Sequence, residues 1–380
     1  MVKRVAADHN GIDMAYVLIT NDLDPYFRDV VTLLALPYGA QHRFRYERSE
    51  GVDFVGNLQA KAMAGRNGLI VFRQRSSGRL APIRRIRIDR VFSSSHLLVI
   101  EFSVLAFPDL NLAAAAQLEH AVGAKAVENV PGGVFHPLVI ELSDSTIDGI
   151  IGPAAGPKSD SESYDCWRTI IHSVADFGSM ASSCFLYAHI IYEDQVALPW
   201  TRIRDGALAV DTQGVYEVQV ASYVLPSADR QGSDTHDSVK QFGLTLKCDS
   251  AVISVVKDAS TVVSRYDNHR FAFRAKPGIE GVGTNVIIAP AVESTGLFVP
   301  TITLPVYGRF AGWQWFSLIA GAAFYAVSFA LPDVWQKIAQ GLGVILVAIF
   351  GKDSSAALAR ILWNSAAVRA LRQAWGEMSK

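Results

Sequence analysis

Charge is scarce in this chain. Of its 380 residues, 19% are Asp, Glu, Lys or Arg, against about 25% in ordinary globular domains. Cysteine is scarcer still. The three present, Cys166, Cys184 and Cys248, are too few for a disulfide scaffold or a multi-cysteine zinc module. There is no G-x-S-x-G, P-loop, H-E-x-x-H or Rossmann fingerprint. The nine histidines are scattered, with no close pair to ligate a metal. The start, MVKRVAADHNGID, is polar and lacks the apolar core of a secretory signal. No internal repeat or low-complexity tract is visible. These absences give an expectation of no cofactor, no metal, no catalytic centre and a body in the cytosol.

What the chain has is hydrophobicity, 50% of its residues, with a mean hydropathy of +0.21. That excludes a disordered, coiled-coil or collagen-like chain. The formal net charge of −1 hides an asymmetry. Residues 1–110 hold 15 basic and 11 acidic side chains, residues 111–310 hold 14 and 22, and residues 311–380 hold 6 and 3. Within the first part, residues 42–90 carry 12 basic against 4 acidic. Such a split fits an anionic partner, or parts of the chain that attract each other.

Periodicity gives the layout, a mainly β fold with helices (α+β). Residues 1–110 read as a basic β-rich module, with apolar runs at Ala15–Thr20, Gly68–Arg73 and Leu97–Phe107. Arg84–Val91 alternates with the period of two of a half-buried strand. Phe27–Leu36 suits helix or strand, and Asn57–Gly65 a short helix. Residues 111–133 form a helical connector ended by Pro131-Gly132-Gly133. Residues 134–308 read as an acidic domain resembling an antiparallel β-sandwich. It opens on a strand at Pro137–Leu142, a loop at 152–163, a helix at Tyr164–Phe177 and a strand at Cys184–Tyr192. Strands then recur about every ten residues, as in Val215–Tyr223 and Phe242–Cys248.

The C-terminal region predicts a helical membrane hairpin over 309–352. Gly312–Leu331 has 20 residues without a charge, about the length of a bilayer span. Ile338–Phe350 has 13, extendable by its flanks. Trp313, Trp315, Trp335, Lys337 and Lys352 would be interface anchors. Gln314, Ser317, Gly321, Tyr325 and Ser328 make a narrow polar or small stripe on the first helix. It would pack on a neighbouring helix or line water in an oligomer. Residues 353–380 read as a basic amphipathic tail helix. The basic tail places both soluble parts in the cytosol on an inner, cytoplasmic membrane.

Three Arg-x-Arg pairs, Arg43/Arg45, Arg73/Arg75 and Arg85/Arg87, mark a candidate anion site. Residues two apart on a strand share a face, and each pair alternates with apolar neighbours. The arginines should face out together and suit phosphate or a nucleotide. The aromatics should face the core, which disfavours a base-stacking platform. Nucleophile candidates are poor. Cys166 and Cys248 read as core residues, Asp165 and His172 as a surface contact, and His269 as an exposed turn residue.

The layout of Gly312–Leu331 and Ile338–Phe350 behind a β body resembles membrane effectors of bacterial conflict and anti-phage systems. The resemblance implies antiviral defence, a homo-oligomer that permeabilises a membrane, and membrane lipid as a partner. A ligand, protein partner or protease would give the signal. Two alternatives stand beside it. One is a structural shell or coat protein with a hydrophobic C-terminal segment. The other is a soluble protein or enzyme with the hairpin as core.

Overall fold

The computed structural model describes residues 14–21, 24–47, 60–74, 77–94, 97–109, 116–122, 138–153, 159–175, 183–198, 203–204, 206–225, 241–277, 279, 281–291, 298–309, 312–329, 336–337, 339–340 and 342. Strands dominate, in three sheets, with helices between and beside them, so the fold is α+β and mainly β.

The first sheet contains β1 (Met14–Asn21), β2 (Gln41–Glu47), β3 (Asn67–Arg73), β4 (Leu80–Ser93), β5 (Leu97–Val104) and β6 (Leu138–Ser143). Its strand order is β2-β5-β4-β3-β1-β6. β1 runs parallel to β3, and every other pairing in it is antiparallel. The link from β1 to β2 is α1 (Asp24–Ala35), so the expected Phe27–Leu36 segment is helix up to Ala35, with Leu36 just beyond its end. A single turn, α2 (Ala60–Met63), precedes β3. β6 pairs with β1, so the first sheet crosses the 133/134 boundary that composition suggested.

Each face of this sheet is covered differently. One face, with Leu18, Ile70, Ile86, Ile88, Ile100 and Phe102, packs on α1 and on α4 (Asp160–Ala175). The other face is half covered. Val17, Ile19, Leu69, Val71, Ile140 and Leu142 lie under α3 (Asp144–Ile151) and the helical residues 116–122. α3 follows β6 directly, and Ser143 caps it by accepting from the Thr146 amide at 3.1 Å. α4 begins inside the expected 152–163 loop. The reason is a capping box: Ser159 and Glu162 exchange side-chain to backbone hydrogen bonds.

The middle sheet has the order β13-β15-β11-β7-β8. Its members are β7 (Cys184–Glu193), β8 (Val196–Ala197), β11 (Val215–Val224), β13 (Ile253–Lys257) and β15 (Tyr266–Ala275). Alternation lets β7 serve two cores: Phe185 and Tyr187 face the helices, while Cys184, Leu186 and Ala188 face away. The outer sheet has the order β14-β12-β16-β17-β10-β9. It comprises β9 (Ile203–Arg204), β10 (Ala207–Asp211), β12 (Phe242–Cys248), β14 (Ala259–Val262), β16 (Gly283–Pro290) and β17 (Ile302–Arg309). Val218, Val220, Phe271 and Phe273 of the middle sheet and Leu244, Ile288 and Leu304 of the outer sheet share one core. The sandwich-like pair is not wholly antiparallel, because β10 runs parallel to β17.

The membrane hairpin is corrected. No helix among the described residues is long and apolar enough to cross a membrane. α5 (Gly312–Ser328) has 17 residues, about 25 Å of helix against about 30 Å of hydrocarbon. Its last residue is Ser328, against the expected end of the span at Leu331. The membrane-protein, transmembrane-helix, pore-formation and antiviral-defence readings built on that hairpin go with it. Of the stripe, Gly321 and Ser328 are buried and Tyr325 is exposed. Trp313, Gln314, Trp315 and Ser317 lie on α5, with their side chains outside the described residues, and Lys337 is exposed. Trp335, Lys352 and the tail 353–380 lie outside the described residues, as does most of Ile338–Phe350.

Candidate anion-binding face

Among the described residues, no helix covers the half of the first sheet's outer face formed by β2, β5 and β4. Register decides which side chains share it. Arg43 of β2 lies opposite Glu101 of β5, which lies opposite Arg90 of β4. One step along, Arg45, Val99 and Phe92 form a second row. On the other side, Gln41, Ser103 and Arg87 form a third. Strands spaced at about 4.8 Å, with residues two apart at about 6.6 Å, make this a compact grid. Arg43, Arg45, Arg87 and Arg90 are all exposed, and so is Phe92, at 52%.

A β-bulge builds the grid. Ile88 faces Phe102 and Arg90 faces Glu101, so Asp89 is the extra residue on β4. Before the bulge Arg85 and Arg87 point outward, and after it Arg90 and Phe92 do. The inserted residue also fixes the centre of the face. Asp89 accepts from Ser103 Oγ at 2.6 Å and from Arg87 Nε at 3.4 Å. The face therefore holds four guanidiniums against the two carboxylates of Asp89 and Glu101.

The three expected pairs do not all assemble. Arg43, Arg45 and Arg87 come together. Arg85 points the same way but is closed off by α3, its side chain 6% exposed. It donates to Asp148 Oδ1 at 3.0 Å and to the Gly152 carbonyl, a fastening rather than a free cation. Arg73 stands at the far end of β3 from Asn67, the residue opposite Arg87. Arg75 lies outside the described residues. Arg90 and Phe92 escape a strict period-two reading because the bulge shifts the parity. The expectation that aromatics avoid the arginine face is therefore corrected at Phe92.

Elsewhere the polar groups are mostly structural. His269, expected in an exposed turn, is buried. It lies opposite Val220 and shares the inward parity of Phe271 and Phe273. Its ring nitrogens lie 2.9 Å from Ser222 Oγ and 2.9 Å from Ser260 Oγ, linking the two sandwich sheets. Burial lowers its pKa, so the ring is neutral and one nitrogen donates while the other accepts. His172 Nε2 lies 2.8 Å from Tyr266 Oη. The Tyr266 ring lies tilted against that of Tyr223, with centroids 4.5 Å apart. Cys184 is buried with its thiol pKa pushed well up, and Cys248 is half-buried and also raised. Neither is a poised nucleophile. The Cys166 thiol donates to Asp109 Oδ1 at 3.6 Å.

No protein-family model matches this chain, and no curated protein matches it either. Among solved structures, the secreted serine protease VesC from Vibrio cholerae aligns over 83% of this chain and 73% of its own, at 8% identity and a TM-score of 0.18. A score that low defines no common fold.

Proposed function

We propose that this chain is a binding protein whose first sheet takes a phosphate-bearing ligand of the nucleotide class. The observation that carries the reading is the grid itself. Arg43, Arg45, Arg87 and Arg90 come from strands on either side of β5 and project from one open face. Guanidinium groups match phosphate oxygens in charge and in forked geometry. Phe92, in the row of Arg45, offers an exposed ring on which a base can stack. Among the described residues the face is open rather than a cleft, and it offers a phosphate cations without a general acid or nucleophile beside them. Recognition fits it better than hydrolysis. The ligand's phosphates would lie over Arg43 and Arg90, with Ser103 and Gln41 at one margin and the base toward Phe92.

The test is a titration of the full chain with ATP, inorganic triphosphate and adenosine, followed by calorimetry. ATP should bind more tightly than triphosphate, and adenosine should bind weakest. Phe92→Ala should remove the advantage of ATP over triphosphate while leaving triphosphate binding intact. Equal binding of all three, or no saturable binding, overturns the proposal.

A further inference from the structure

A second site, independent of the arginine face, lies between the first and middle sheets. Its centre is Tyr187 on β7. Around that ring stand Phe107, with centroids 5.1 Å apart, Trp167 at 5.7 Å and His189 at 6.0 Å. Arg84 enters from β4, opposite Ile70 and hence on the inward face. Its guanidinium carbon sits 3.5 Å from the Phe107 ring centroid and 5.9 Å from that of Tyr187. The rings continue to Tyr164, 5.6 Å from Trp167 and 5.9 Å from His189. Tyr164 and His189 are half-buried, so the cluster meets solvent there. His189 is itself a bulge residue: Ala188 pairs with Val220 and Ile190 with Gln219, leaving it between them. Bulges re-aim side chains in this way beside functional sites.

The polar side of this box is unsatisfied. Among the described residues, Arg84 Nη1, Trp167 Nε1 and His189 Nε2 are buried atoms with no hydrogen-bond partner. Buried polar atoms are nearly always paired, so three orphans around one ring need an explanation. Arg84 is only 1% exposed and donates Nε to the Leu105 carbonyl at 2.7 Å. The groups that favour its charged form are Tyr187, which also hydrogen-bonds its side chain, Cys166 and Tyr38, two phenols and a thiol. Burial lowers its pKa to about 10, so it remains a cation near pH 7. Among the described residues no carboxylate acts on this buried cation, so it lacks the counter-charge that such a group ordinarily has.

We propose that this box binds a small carboxylate anion, held by Arg84 Nη1, Trp167 Nε1 and His189 Nε2 against the aromatic walls. Two carboxylate oxygens offer four acceptor positions, enough for all three donors. A carboxylate also supplies the negative charge that Arg84 lacks, which a trapped water cannot. Ring walls with few placed polar groups are the usual make-up of a small-molecule site.

The experiment measures melting of the full chain against formate and acetate, with chloride replaced at constant ionic strength. The chain is expected to show a saturable rise in Tm. Trp167→Phe keeps the ring and removes one donor, and His189→Phe removes another. Each should raise the half-saturating concentration at least threefold. Arg84→Met should abolish the effect if it folds, and the two milder variants decide the matter if it does not. A rise that never saturates, or one unchanged in Trp167→Phe and His189→Phe, overturns the proposal, as does the absence of any rise. The ATP titration of the arginine face is unaffected by either outcome.

Discussion

Replacing Asp148 with Asn separates the two tasks that neighbouring arginines perform on β4. Arg85 and Arg87 share one face of one strand, yet only Arg85 is roofed by α3. Its Nη1 lies 3.0 Å from Asp148 Oδ1, with the arginine side chain 6% and the aspartate side chain 39% exposed. A hydrogen bond to a charged group contributes about 1.5–3 kcal/mol net. Asparagine keeps an acceptor in place and loses the charge, and solvent at Asp148 screens part of the attraction. Asp148→Asn should therefore cost about 1–2 kcal/mol, read as a lower urea midpoint with an unchanged slope. Affinity for ATP should stay within twofold of the parent chain. Arg87→Gln should do the reverse. It should leave the midpoint within about 0.5 kcal/mol, as for an exposed substitution, and weaken ATP about fivefold, equivalent to about 1 kcal/mol. An unchanged midpoint in Asp148→Asn would refute the reading of Arg85 as a fastening. Loss of ATP binding in that variant would refute the division of tasks.

Other outcomes follow from single groups. Burial holds His42 at about 4 and His189 at about 4, below the ordinary 6.5. Their folded pKa values are depressed, so stability is full above about pH 6.5 and is lost as pH falls toward 4. Burial raises Asp29 to about 6, with Arg45 pulling the other way, so its ionisation costs stability as pH rises from about 4 to 6. His42→Phe, which can keep the edge contacts with Phe44 and Phe102, should flatten the acid limb of a urea-midpoint series from pH 4 to 7.5. Asp29→Asn should raise the midpoint at pH 8. Tyr46 Oη is buried without a hydrogen-bond partner among the described residues, so Tyr46→Phe should be neutral or stabilising by up to about 1 kcal/mol in chemical unfolding. Gly206 has φ +78, and a Cβ there would lie 2.5 Å from Gln41 Cγ. Gly206→Ala should cost about 1–3 kcal/mol in the same assay.

Alternation made much of this architecture legible. The strands at Val215–Val224 and Phe242–Cys248 follow from it, and so does the outward set of Arg43 and Arg45 opposite Phe44 and Tyr46. Bulges limited the reading, because each inserts a residue and reverses the faces beyond it. At Asp89 the bulge brings Arg90 and Phe92 onto the arginine face, and at His189 it turns a histidine toward Tyr187. Arg84 illustrates a second limit. Its neighbour Arg85 looks identical in sequence, and only pairing with Ile70 shows that Arg84 faces inward. His269 was hidden by the polar residues around it, which resemble a turn until the register with Val220 is known. The apolar C-terminal run showed composition but not helix length, and α5 ends before a span is complete.

The arginine grid carries the functional account, and one measurement bears on it most directly. Calorimetric titration of ATP into the parent chain should be compared with Arg43→Gln/Arg90→Gln, which removes one cation from each side of Glu101. Saturable binding to the parent chain and at least a twentyfold loss in the variant are expected, with the urea midpoint unchanged. Equal ATP affinity in the two chains would contradict the proposed role of the grid.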